Sequence, residues 1–197
     1  MQYTGHLDLH KTWERTLRLA RLPLDYSEVI NPHPKIQLGS ALPLGFTSDC
    51  ELVDVWLEAP QDLAAARAAL EQAAPPGIRL SEVCEIPERG PALQTQITAA
   101  EFRVTLPAAV DVAVLDERVA ALLAAPEIRR TRRQKEYDLR PLIETLARTA
   151  SDEQSHTLVM RLAAREGATG RPEEVAEALG WPATSAAYHR QKLFIPE

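Results

Sequence analysis

Residues whose types and spacing could do chemistry concentrate in three short stretches, and the loop Asn31-Pro32-His33-Pro34-Lys35 is the most suggestive of them. Prolines flank His33 and stiffen the loop, so the imidazole is held in place. A positioned imidazole beside the Lys35 ammonium suits acid–base work on a phosphodiester, because histidine changes charge near neutral pH. Asn31 adds a neutral hydrogen-bonding group. The plainer reading is a loop fixed only to start a strand at Ile36.

The second stretch is Arg129, Arg130, Arg132, Arg133 and Lys135, five cations in seven residues. Their charges fall on both strand parities, which excludes a strand with one buried face and predicts an exposed ribbon or loop. This is the strongest phosphate or RNA signal in the chain, against a reading in which the cations pair with Glu127, Glu136 and Asp138. Arg171, just before Pro172 at an expected helix start, could add to an anion site there.

The third stretch is the stripe Lys11, Arg15 and Arg18 on one face of an amphipathic helix. It could touch phosphates, or be only a solvated face. Glu14 stands four residues before Arg18, where an ion pair contributes about 0.3–0.5 kcal/mol.

His6, Asp8, His10 and His33 could converge on zinc, iron or manganese. Asp8, however, is two residues from each of His6 and His10, and that spacing on a helix sends the side chains to different sides. Asp8 is expected to favour the helix dipole instead, and no metal site is expected. Cys50 and Cys84 are far apart and form no CxxC pair, which predicts reduced thiols and a cytoplasmic setting. No nucleophilic triad, phosphate loop or dinucleotide fingerprint stands out, and no cofactor is expected; GATGR at 167–171 lacks the lysine of a phosphate loop and reads as a turn.

These residues must be positioned by elements that periodicity predicts. Over Asp8 to Arg21, Leu9, Trp13, Thr16, Leu17 and Ala20 share one helix face, with Trp13 expected in the core, and Pro23 marks the stop. Residues 35–46 and 50–58 read as a hairpin turning at Thr47, Ser48 and Asp49. A helix over 61–74 and a strand over 78–86 follow, then a polar linker at 87–98. Beyond it the pattern gives a strand at 101–106, a helix at 112–124, the basic segment and YDLRPLIETL, a strand at 156–165, a helix at 172–179 and a strand near 187–195. The expected fold is α+β: two tandem ferredoxin-like repeats, over 1–90 and 91–197, the second with βαββαβ order and the first lacking its opening strand.

The net charge is −6, which argues against a general nucleic-acid coat protein, but the charge is unevenly placed. Residues 1–90 hold eight Lys and Arg against thirteen Asp and Glu, and residues 91–197 hold fourteen against fifteen. The start MQYTGHLDLH has no apolar run, and nowhere do some twenty apolar residues follow one another, so neither a signal peptide nor a membrane span is expected.

The runs GHLDL, WERTLRLARLPLDYS, NPHPKI and ALPLG, with Glu51-x-x-Asp54-Val55-x-Leu57, YDLRPLI and GATGRPEEV, together resemble the uncharacterised radical-SAM-linked protein family. The resemblance implies a domain fused to, or encoded beside, a cobalamin-binding radical-SAM enzyme. It also implies a strand before the HLDL segment, so the expectation is a start upstream of Met1, or another segment or a partner filling that place. The functional expectation is a non-catalytic module that recognises RNA or a substrate beside a radical-SAM enzyme. Two alternatives stand next to it. One is a metal-independent endoribonuclease using His33, resembling CRISPR RNA-processing proteins in architecture. The other is an adaptor that docks on the radical-SAM partner through an open sheet edge.

Overall fold

The computed structural model describes residues 1–196. Its elements, in chain order, begin with α1 (His6–Leu19), β1 (Ile36–Leu38), β2 (Thr47–Ser48), β3 (Val53–Val55), α2 (Leu63–Ala73) and the short α3 (Leu93–Gln96). They continue with β4 (Ala99–Pro107), α4 (Val112–Ala124), β5 (Arg129–Arg132), β6 (Lys135–Asp138), β7 (Ile143–Ser151), β8 (Ser155–Arg165), β9 (Ala168–Thr169), α5 (Pro172–Ala178) and β10 (Ala187–Phe194). The chain is α+β and divides into two compact units, residues 1–44 with 51–96, and residues 45–50 with 97–197.

The first unit gathers around Leu17, Leu24 and Leu70, with Ile36, Val55 and Leu57 packed against them. Leu17 comes from the apolar face of α1, as its spacing predicts, while Trp13 is only half-buried and not in the core. Asp62 caps α2 by accepting from the Ala65 amide at 2.7 Å. β1 and β3 pair antiparallel from Ile36 with Val55 to Leu38 with Val53. The expected hairpin partners are therefore real, but each strand is three residues long and the expected turn is not a turn.

Residues 45–50 leave the first unit because Phe46, 4% exposed, is an anchor elsewhere. Its ring stacks on Tyr188 at 4.7 Å and meets Phe102 edge-on at 6.2 Å. Thr47 and Ser48 then pair parallel with His189 and Arg190 of β10. The strand expected over 78–86 is also absent. Leu80 packs on the first unit's core, but Glu82, Cys84, Glu85 and Ile86 are exposed and no sheet edge accepts the segment. The first unit thus carries one two-stranded ladder and not the three strands expected.

The second unit follows the expected β-α-β-β-α-β order in β4, α4, β7, β8, α5 and β10, and inserts a β5–β6 ribbon between α4 and β7. Its sheet runs β2-β10-β4-β8-β7; β10–β4, β4–β8 and β8–β7 are antiparallel and β2–β10 is parallel. Alternation decides which side is core: Phe102, Val104 and Leu106 of β4 and Leu158, Met160 and Leu162 of β8 are buried, while Arg103 is exposed. Leu115 and Val119 of α4 and Val175 and Ala176 of α5 complete that core. His156 is buried there as a satisfied polar group, its ring nitrogens 2.9 Å from Ser151 Oγ and 2.9 Å from the Val110 carbonyl. Among the described residues no helix is long and apolar enough to cross a membrane.

Candidate nucleic-acid interface

The ribbon is built from the basic segment. Arg129 to Arg132 pair antiparallel with Asp138 to Lys135, so Arg130, Tyr137, Arg132 and Lys135 share one face while Arg129, Thr131, Glu136 and Asp138 share the other. The two turn residues, Arg133 (φ 49°) and Gln134 (φ 65°), are both left-handed. That backbone matches the twist of a tight hairpin but is usually made with Asn-Gly. Holding two side chains of this size there costs about 1 kcal/mol each or more.

Charge on the first face is settled by α5. Glu174 receives Arg132 through Nη2 at 2.7 Å and Nε at 3.2 Å, and the Tyr137 hydroxyl also donates to it. Arg132 additionally donates to the Thr169 carbonyl at 3.2 Å, and its guanidinium lies 4.7 Å from the Tyr137 ring centre. Arg130 turns the same way and donates to the Glu174 carbonyl at 3.2 Å. On the second face Arg129 pairs with Glu127 at 2.9 Å. Asp138 accepts the Ile128 and Arg140 amides at 2.8 and 2.9 Å and so fixes the base of the ribbon.

Among the described residues Arg133, Lys135 and Arg171 have no carboxylate partner, and all three are exposed. With Arg132 and Tyr137 they line a pocket of about 430 Å³. The five cations of the segment are therefore not one patch. Arg133 and Lys135 of the segment line this pocket, Arg130 is turned to the Glu174 carbonyl, and the pocket's third unpaired cation is Arg171, more than thirty residues along the chain. The helix start expected as an anion site is itself filled, since Glu173 and Glu174 occupy the first turn of the seven-residue α5. Burial pushes the Glu173 carboxyl up, and its Oε2 has no hydrogen-bond partner.

Burial, helped by the hydrogen bond to Glu174, pushes the Tyr137 hydroxyl up from 10.0 to about 12. A raised tyrosine keeps its proton in the folded state while the unfolded chain loses it. Stability is therefore full below the unfolded value near pH 10 and falls as pH rises through the folded one. Between about pH 10 and 12 the second unit is expected to lose about 2 kcal/mol from this group. Denaturant midpoints across that window should show the loss, and Tyr137→Phe should make it smaller by this group's share, leaving the part that comes from Tyr188, which burial also pushes up.

The other candidate residues stand apart from such a cluster. In the first unit Asn31 and His33 are exposed at the tip of a loop closed by Ser27 and His33, whose backbone bond is 2.9 Å. The His33 amide donates to Ser27 Oγ at 3.1 Å, its ring makes no hydrogen bond among the described residues, and Lys35 is committed to Asp25 at 2.6 Å. Lys11, Arg15 and Arg18 are exposed on α1, with Arg18 paired to Glu14 at 2.7 Å. Among the described residues no three His, Cys, Asp or Glu side chains converge as metal ligands, His6, Asp8, His10 and His33 included.

Sequence reasoning missed Tyr137 and Glu174, which organise the ribbon, and it missed a cluster around His189. There Nε2 lies 2.9 Å from Asp49 Oδ2 and Nδ1 lies 2.7 Å from Thr47 Oγ1, tying β2 to β10. Both partnerships span about 140 residues of chain, and no local signal points to them.

No curated protein matches the chain. Among solved structures it is similar to a chain in the crystal structure of a Cbf5-Nop10-Gar1 complex, with a TM-score of 0.53 at 10% identity over 98% of this chain and 47% of that one. It is also similar to a chain in a structure of an H/ACA RNP bound to a substrate RNA containing 2'-deoxyuridine, with a TM-score of 0.48 at 11% identity over 96% of this chain and 45% of that one. The chain spans about half the length of these structures, and at such identity the first likeness speaks for a mixed α+β fold alone. Residues 1–172 match the model of the family described as "Uncharacterized protein conserved in bacteria (DUF2344)", and the chain belongs to that family.

Proposed function

We propose that this protein is a non-catalytic RNA-recognition module that acts with a radical-SAM enzyme, in RNA modification. The observation that carries the reading is the pocket where Arg133, Lys135 and Arg171, in no salt bridge among the described residues, stand around Arg132 and Tyr137. Free cations on a rigid ribbon bind phosphates by releasing condensed counterions, and an aromatic ring among them suits an unpaired base. The net charge of −6 keeps such binding local. The order β10-β4-β8-β7 is the one a ferredoxin-like unit requires, which supports reading the second half as such a repeat. The radical-SAM partnership rests on the family resemblance, and co-purification of the two proteins would test it.

A gel-shift series with total tRNA and rRNA fragments tests RNA recognition. Three phosphate contacts predict a slope of about −2 in log K against log salt for single strands. Binding undetectable at micromolar protein and low salt, or binding that survives high salt unchanged, would defeat the reading.

A further inference from the structure

A second concavity, of about 450 Å³, lies at the other end of α5, between the C-terminal half of α4 and the base of the ribbon. Its walls are Arg118, Arg129 and Arg130, and its floor is apolar, from Leu122, Ile128 and Ala178. Two of these guanidiniums lack a carboxylate among the described residues.

Arg118 is held in place before any ligand arrives. Its Nη1 donates to the Leu179 carbonyl at 2.9 Å, and its guanidinium carbon lies 5.4 Å from the centre of the Trp181 ring. The close approach needs Gly180, at φ +98°, because a Cβ there would stand 2.7 Å from that nitrogen. Arg130 is short of acceptors. Its Nε is buried with no hydrogen-bond partner among the described residues, and its Nη2 bond to the Glu174 carbonyl is long at 3.2 Å. A buried charged donor without an acceptor is costly, and natural structures keep few of them. Guanidinium walls over an apolar floor suit a planar ring that carries its own acceptors.

The two pockets sit at opposite ends of α5, whose seven residues span about 10 Å. A single nucleic-acid strand covers that distance in two or three nucleotides. We infer that the Arg118–Arg130 pocket takes an unpaired nucleobase of the RNA whose phosphates the Arg133, Lys135 and Arg171 pocket holds, so that this unit selects single-stranded RNA. The inference rests on the RNA-binding reading above and specifies its ligand. A paired base could not enter, because its ring faces are stacked and its edge is engaged in the duplex.

Anisotropy titrations with a labelled oligouridine and with an RNA duplex of the same length test this. Ala121 lines the same pocket and is exposed on α4, so Ala121→Trp fills the space without altering charge or core. It is expected to weaken oligouridine binding about tenfold or more and to leave duplex binding unchanged. Arg130→Gln should shift binding in the same direction. Unchanged oligouridine binding in both variants, or equal loss for single strand and duplex, would overturn the inference while RNA recognition itself stood. Failure of the unsubstituted protein to bind either RNA would instead remove the reading it rests on.

Discussion

Replacing Arg133, Lys135 and Arg171 together by glutamate is expected to lower RNA affinity by a factor on the order of 100 or more at about 0.1 M salt, with the salt slope falling by about two. Among the described residues the three side chains are in no salt bridge and are exposed, so the substitutions break no close ion pair and uncover no core. Arg129→Glu is the informative control. Arg129 belongs to the same run of cations but lies on the other face of the ribbon and is paired with Glu127 at 2.9 Å. It changes net charge as much as any one of the three, yet should change affinity for duplex RNA, which does not enter the pocket that Arg129 helps to wall, only about threefold or less. If Arg129→Glu weakened duplex binding as much as single replacements in the pocket, net charge and not the pocket would govern binding. Salt titrations of each variant by anisotropy decide between the two.

The contrast between Arg129 and Arg133 shows where sequence stops being informative. Composition announces five cations, and strand parity announces an exposed ribbon. Which cations remain free depends on Glu174, forty-two residues from Arg132, and no local pattern reports that pairing. Arg171 was legible as a cation near a helix start, but its membership of the pocket comes from tertiary packing. In the second unit β4 and β8 were legible because they alternate, and α5 because its ends are marked, whereas β7, whose buried residues are irregularly spaced, was not placed as a strand of its own. Pro172 opens α5, and Gly180 at positive φ follows its close.

The first unit was misread for a related reason. Residues 35–58 carry the pattern of a hairpin, but Phe46 finds its partners at Phe102 and Tyr188, and burying that ring outweighs local turn preference at Thr47 to Asp49. Over 78–86 apolar residues are interspersed with polar ones as in a half-buried strand, yet among the described residues the segment pairs with no strand. A strand is stabilised by its neighbours, so pattern alone does not make one.

Trp181 joins the core of the second unit to its second pocket, and Trp181→Ala is expected to cost about 3–5 kcal/mol. The indole is 3% exposed, donates from Nε1 to the Pro107 carbonyl at 2.9 Å, and meets the His156 ring edge-on at 6.5 Å. Removing it leaves a cavity, orphans that carbonyl and takes away the surface over which Arg118 lies. At about 2–4 °C per kcal/mol for a chain of this size, melting of the second unit should fall by roughly 10 °C. Trp181→Phe keeps a ring for packing and loses the hydrogen bond, so it should cost about 1–2 kcal/mol. The functional consequence is separable from the structural one when binding is measured well below the melting point. There Trp181→Ala should weaken oligouridine binding, because Arg118 is no longer pinned. It should spare duplex binding, because Arg133, Lys135 and Arg171 are held by the ribbon and the start of α5. A melting shift of only a degree or two would mean that the end of α5 repacks around the loss, and the rigid placement of Arg118 would have to come from the Leu179 carbonyl and Gly180 alone.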